Sequence, residues 1–198
     1  MTVKYSVVFL LALSCYDVNS ASQDPVVYWG DFRYHMNYVG AIYHGQTVTG
    51  ERVYISRTIV ADEQSVSFMP GSFIFGYQYQ PATLNGNHYI NYAELYFLLT
   101  NDYDKLEWRP ATAENFTELL NQDDFEPVQG GWIYELDTKA NASLYIGAAD
   151  VPKYGDFIGK IFHNYHEEDR NGVLHLDIQE EEIVIAKDDV YQVLGVRK

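Results

Sequence analysis

Apolar and polar residues alternate with a period of two over most of this chain. Residues 52–57 read Arg-Val-Tyr-Ile-Ser-Arg, 72–75 read Ser-Phe-Ile-Phe, 88–92 read His-Tyr-Ile-Asn-Tyr, and 94–99 continue in kind. These β-branched and aromatic runs are bounded by Gly, Pro and Asn, which predicts short strands joined by turns. The runs at 144–147, 160–163, 173–178 and 182–186 repeat the series. Residues 28–38, with Trp29 and four other aromatics, predict a further strand. Only 112–120 departs from the pattern: a Thr followed by apolar residues at helical spacing predicts one short helix, ended by Asp123–Pro127.

The series is a duplication. Residues 39–106 align with 130–194, placing Tyr54-Ile55 on Tyr145-Ile146, Gly71 on Gly159, Glu94 on Glu182, Tyr103 on Tyr191 and Leu106 on Leu194. Residues 107–129 read as a connector. Each copy is an antiparallel sheet of about four strands, too small to be stable alone. The copies are therefore expected to share one core in a single all-β domain spanning 21–198.

Composition adds a compartment. Lys4, the apolar run 5–13 and the small residues ending at Ser20 have the layout of a secretory signal peptide at 1–20; the alternative is an apolar first strand. Secretion and an extracellular location are expected. The one cysteine, Cys15, falls in that leader, so the mature chain has no disulfide and relies on its core. Roughly 178 residues suffice, because a chain of that length buries about 70% of its unfolded surface. No second apolar run is long enough for a membrane span. With 28 acidic against 13 basic residues, nucleic acid and other polyanions are disfavoured partners. Two N-x-S/T sequons, at Asn115 and Asn141, predict exposed loops that a secreted chain presents for glycosylation.

No nucleophile elbow, phosphate-binding loop, dinucleotide fingerprint or zinc-protease helix occurs, so no enzyme and no cofactor are expected. His163, His166 and His175 lack a third ligand fixed by spacing, and no calcium loop is present, so no metal is expected. Asp137 precedes a polar turn beside one predicted strand, and Lys160 opens another. If those strands are neighbours the two charges converge. A carboxylate beside an ammonium is a receptor for vicinal hydroxyls, with Asp156 as a further acceptor; the alternative is a surface salt bridge.

The string Gly45…Gly50-Glu51-Arg52-Val53-Tyr54-Ile55-Ser56-Arg57…Met69-Pro70-Gly71, then Glu94 and Tyr103-Asp-Lys-Leu106, resembles a DM9 repeat. Leu144-Tyr145-Ile146-Gly147, Ile158-Gly159-Lys160, Glu182 and Tyr191-Gln-Val-Leu194 resemble a second one, so the likeness covers almost all of the mature chain. It implies two tandem repeats in a compact pseudo-twofold antiparallel domain whose copies exchange strands. It also implies calcium-independent lectins of mannose type, acting in innate recognition or in gut and salivary secretions. By the family's pattern the sugar-binding residues are Asp137 and Lys160, with Asp156 third. Gln46 and Ser72 stand as their degenerate equivalents in copy one, where mannose binding of that kind is not expected. Glycans on microbial or host surfaces are the implied partners, and a single site per chain implies a homodimer at least. The competing reading is a secreted protein-interaction or structural protein that kept the fold and lost the sugar; the degenerate copy and the Asn141 sequon favour it.

Overall fold

The computed structural model describes residues 26–31, 40–75, 79–84, 86–91 and 95–198. The expected leader at 1–20, residues 32–38 and Glu94 lie outside the described residues. Among the described residues the period-two pattern becomes fifteen strands. The first eight are β1 (Val27–Asp31), β2 (Tyr43–Gln46), β3 (Arg52–Ala61), β4 (Ser65–Ile74), β5 (Gln80–Leu84), β6 (Asn87–Asn91), β7 (Leu95–Thr100) and β8 (Leu106–Ala111). The rest are β9 (Phe125–Pro127), β10 (Gln129–Glu135), β11 (Asn141–Val151), β12 (Gly155–His163), β13 (Leu174–Ile178), β14 (Glu181–Val184) and β15 (Tyr191–Arg197). Thirteen join one antiparallel sheet, and β5–β6 form a separate pair. The predicted helix is α1 (Phe116–Leu120), which buries Phe116 and Leu119; its N-cap is Asn115 rather than Thr112.

Strand register fixes how the copies correspond. In the β3–β4 hairpin Ser56 faces Gly71 and Ile55 faces Ser72; in β11–β12 Gly147 faces Gly159 and Ile146 faces Lys160. The next strand docks alike in both, with Ser56 opposite Phe97 of β7 and Gly147 opposite Val193 of β15. That register makes Leu95, not Tyr103, the counterpart of Tyr191. Tyr103 sits instead in a 3₁₀ turn, Tyr103–Lys105. β1 lies on β7 with Trp29 opposite Leu98, and β8 lies on β15 with Trp108 opposite Leu194. The two tryptophans are thus equivalent, and the segment read as a connector supplies β8 and β9 to the sheet.

The copies interlock through their short leading strands. β10 is hydrogen-bonded to its own β11 and to β4 of the other copy, with Ile133 opposite Ser67. β2 pairs with its own β3 and bridges to β12 through Thr47 and Gly155, the equivalent positions. Ile42, Val53, Ile55 and Leu98 consequently share one core cluster with Ile146, Ile158, Ile161 and Leu194.

Two substitutions between copies are paired across this interface. Pro70, opposite Arg57, has no N–H to donate. Its counterpart Ile158 donates its N–H to Ser72 Oγ at 2.8 Å, and Ser72 Oγ donates in turn to the Ile158 carbonyl at 3.0 Å. The second case concerns the tryptophans. Arg57 is buried with its guanidinium 4.3 Å from the Trp29 ring and 4.7 Å from Phe68. Copy two has Ala148 in place of Arg57, and the His44 ring takes the face of Trp108 at 4.3 Å. His44 corresponds to Gly130, where a Cβ would lie 2.7 Å from Pro70 and Ile146 side-chain atoms. One copy fills the space from its own strand, the other from its neighbour's.

Candidate functional site

The structure separates the residues expected to bind sugar. β11 and β12 are neighbours, but Lys160 lies opposite Ile146 while Asp137 lies in the turn before Asn141. Five residues of strand span about 17 Å, so the two charges do not converge. Asp137 is exposed beside Glu135, whose carboxylate meets His166 Nδ1 at 2.5 Å. Asn115 and Asn141 are both exposed.

Lys160 is fully buried and points to partners that arrive later in the chain. Its Nζ lies 2.6 Å from Asp177 Oδ2 and 3.5 Å from Glu182 Oε1. Glu182 also accepts from Arg170 at 2.9 Å and contacts His175 Nδ1 at 3.1 Å. Burial works to raise the Glu182 carboxyl, but the His175 hydrogen bond and the charges of Lys160, His175 and Arg170 outweigh it and hold it at about 2. Burial pushes the His175 imidazole below its usual value, against the pull of Glu182. This lysine is a buried strut between strands.

Asp156 and Gln46 do meet, although they come from different copies: the Gln46 N–H donates to Asp156 Oδ2 at 3.1 Å. Their approach requires Gly45, since a Cβ there would lie 1.9 Å from that carboxylate oxygen. Gln46 is not the counterpart of Asp137, however. It lies opposite Arg52 as Trp132 lies opposite Ser143, so register equates Gln46 with Trp132. Ser72 does take the register position of Lys160.

Ser72 instead lines a cleft of about 190 Å³ between the copies. Thr47, Thr49, Tyr79, Tyr154 and Gln179 supply its other polar groups, over an apolar floor that includes Phe157 and Ile178. The β2–β3 turn closes over it, with Gly50 N–H donating to the Thr47 carbonyl and Val48 N–H to Tyr154 at 3.0 Å. Gly155, at φ 92°, lets the strands cross here, because a Cβ would lie 2.6 Å from the Gln46 carbonyl. Thr47 and Thr49 hydroxyls both donate to the Glu51 carboxylate, which holds that carboxyl below its usual value, and Thr47 Oγ1 accepts from the Glu51 N–H at 3.2 Å. At the opposite lip Gln179 has φ 58°, a conformation that glycine or asparagine adopts more readily.

The same place in copy two is filled. Ile133, Phe162 and Met69 stand where copy one has Thr47, Ile74 and Phe157, and they pack with Leu84, Leu144 and Tyr165 in a closed apolar cluster. The cleft is therefore open beside the copy-one hairpin and closed at the equivalent place beside the copy-two hairpin. A cleft of hydroxyls, an amide and tyrosines had no motif in the sequence. Its one legible trace is the contrast of Thr47 and Ser72 with Ile133 and Lys160.

No protein-family model and no curated protein matches the sequence. Among solved structures the chain is similar to the crystal structure of the nematode sperm cell motility protein MFP2B, with a TM-score of 0.51 and 13% identity. The match covers 94% of this chain and 51% of that one, so the chain spans about half the length of its structural relative. At that identity the likeness concerns the fold, an all-β architecture.

Proposed function

We propose that the protein is a secreted carbohydrate-binding recognition protein of DM9 type that seats one sugar residue in the copy-one cleft. The observation that carries this reading is the lining. Hydroxyls, a carboxamide and aromatic rings converge on a cleft of about 190 Å³, and among the described residues no charged side chain lines it. Such groups donate to and accept from neutral hydroxyls, while tyrosine faces cover the apolar side of a pyranose. Calcium independence comes from the sequence resemblance. The mannose-type preference rests on the sequence resemblance. One small site gives millimolar to micromolar affinity, so recognition of a surface uses several chains together.

A glycan array read with and without EDTA tests this. The companion variant carries Thr47→Ile and Ile74→Phe, the residues with which copy two fills its own site. Mannose-type signals are expected to survive EDTA and to fall at least about tenfold in the filled variant, with the melting temperature held or raised. A blank array from folded protein, or signals indifferent to the filling, overturns the assignment.

A further inference from the structure

The charged cluster around Lys160 plays no part in the cleft, yet it ties three strands together. Lys160 comes from β12, Asp177 from β13 and Glu182 from β14, and Arg170 closes on Glu182 from the preceding turn. The ladder continues from β12 to β13 through Lys160–His175 and Ile161–Leu174, then to β14 through four pairs. In copy one the corresponding hairpin, β5–β6, is detached from the main sheet. Copy two thus holds its hairpin in the plane of the sheet, and β14 becomes an outer edge with which no other described strand pairs.

The geometry of that edge is defined. Ile185 N–H donates to the Leu174 carbonyl at 3.0 Å, which sets the odd-numbered residues of β14 toward β13. By alternation the backbone N–H and C=O groups of Glu182 and Val184 face outward. The Val184 side chain is 53% exposed, and Val190, six residues on, 63%. Glu180, Glu181, Asp188 and Asp189 are exposed in the same stretch of chain, with Lys187 the one cation in the run. The strand carries no proline, lysine or bulge, and its shortness and its glutamates discourage pairing with another acidic strand rather than with a basic one.

We propose that β14 is a docking edge that accepts an extended basic segment of a partner protein by strand addition. The partner's backbone pairs with the free groups of Glu182 and Val184. Its apolar side chain lies on Val184, and its lysines or arginines meet Glu180, Glu181, Asp188 and Asp189. The net charge of −15 draws a cationic segment in and holds off a second copy of this chain at the same edge.

The probe is a fluorescent peptide of alternating Lys and Val, titrated against the full chain by anisotropy at physiological salt, with amide hydrogen exchange read in parallel. Binding is expected to protect the amides of Glu182 and Val184. Val184→Pro removes an outward N–H that the ladder to β13 does not use, and should weaken binding at least about tenfold with the fold intact. A peptide N-methylated at alternate residues should lose the same affinity, and it decides the matter if Val184→Pro fails to fold. No binding overturns the proposal. So does binding that ignores N-methylation, or that brings no protection of those two amides, since either is charge attraction alone.

Discussion

Glu182 shows how one residue couples the buried cluster to pH. Its carboxyl sits at about 2 in the folded chain against 4.5 when unperturbed. The folded value is depressed, so the unfolded chain binds the proton more tightly. The contribution is full above pH 4.5 and is lost as pH falls from there to about 2, a span worth about 3 kcal/mol. His175 is depressed as well, because burial favours its neutral form. It therefore works in the same sense in a higher window, with stability lost as pH falls below 6.5. Urea midpoints measured from pH 7 to pH 2.5 should show both declines. In Glu182→Gln the lower decline should be shallower than in the parent by about that amount, and an unchanged slope would remove Glu182 from the account. None of this was legible at Lys160 alone. The sequence places a lysine at the start of an alternating run, and an exposed cation is the ordinary outcome. The partners that bury it, Asp177 and Glu182, come from a hairpin whose path the intervening loop decides.

At the scale of elements, the hairpins were legible and the longer connections were not. Tyr54 with Tyr145 and Gly71 with Gly159 are correctly matched because each pair belongs to one hairpin, where a slip of one residue would turn every side chain to the wrong face. Tyr103 with Tyr191 is a mismatch: the turns between β12 and β13, with their 3₁₀ segment Glu168–Arg170, are longer than the link from β4 to β5, and the nine-residue interval from Glu94 to Tyr103 matched by coincidence. Register also exposes an exchange that alignment hides, Arg57 with Gly130 in one place and Ala148 with His44 in the other. Grafting the first pair onto the second site makes a double-mutant cycle. Ala148→Arg alone forces a guanidinium into the space of the His44 ring, and His44→Gly alone bares the Trp108 face. Together they rebuild the Arg57–Trp29 arrangement, so the double variant should be more stable than the sum of the singles by about 1–3 kcal/mol in urea unfolding. Additive effects would mean that the two sites are not packed as equivalents.

The whole molecule is held by strands that each copy lends to the other, so neither copy owns a complete sheet. Without β4, β10 loses one of its two ladders, and the face of β12 that meets β2 and Ser72 is bared. The core cluster divides likewise, leaving Ile55 and Leu98 on one side and Ile146, Ile158 and Leu194 on the other. Half of a shared apolar core does not offset the conformational entropy of the chain that forms it. The 3₁₀ turn at Tyr103–Lys105 has no buried residue and lies between the last strand of copy one and the first of copy two, so the chain can be divided there. A fragment 103–198 expressed alone should show little cooperative melting. Expressed with the fragment ending at residue 102, it should elute as a one-to-one complex with a single transition, because the interlocking strands re-form between separate chains. If 103–198 alone were monomeric and melted cooperatively, the strand exchange would be an accessory to the fold rather than its basis. The cleft, whose walls come from Thr47 and Ser72 on one side and Tyr154 and Phe157 on the other, would then exist only when two independent units happen to meet.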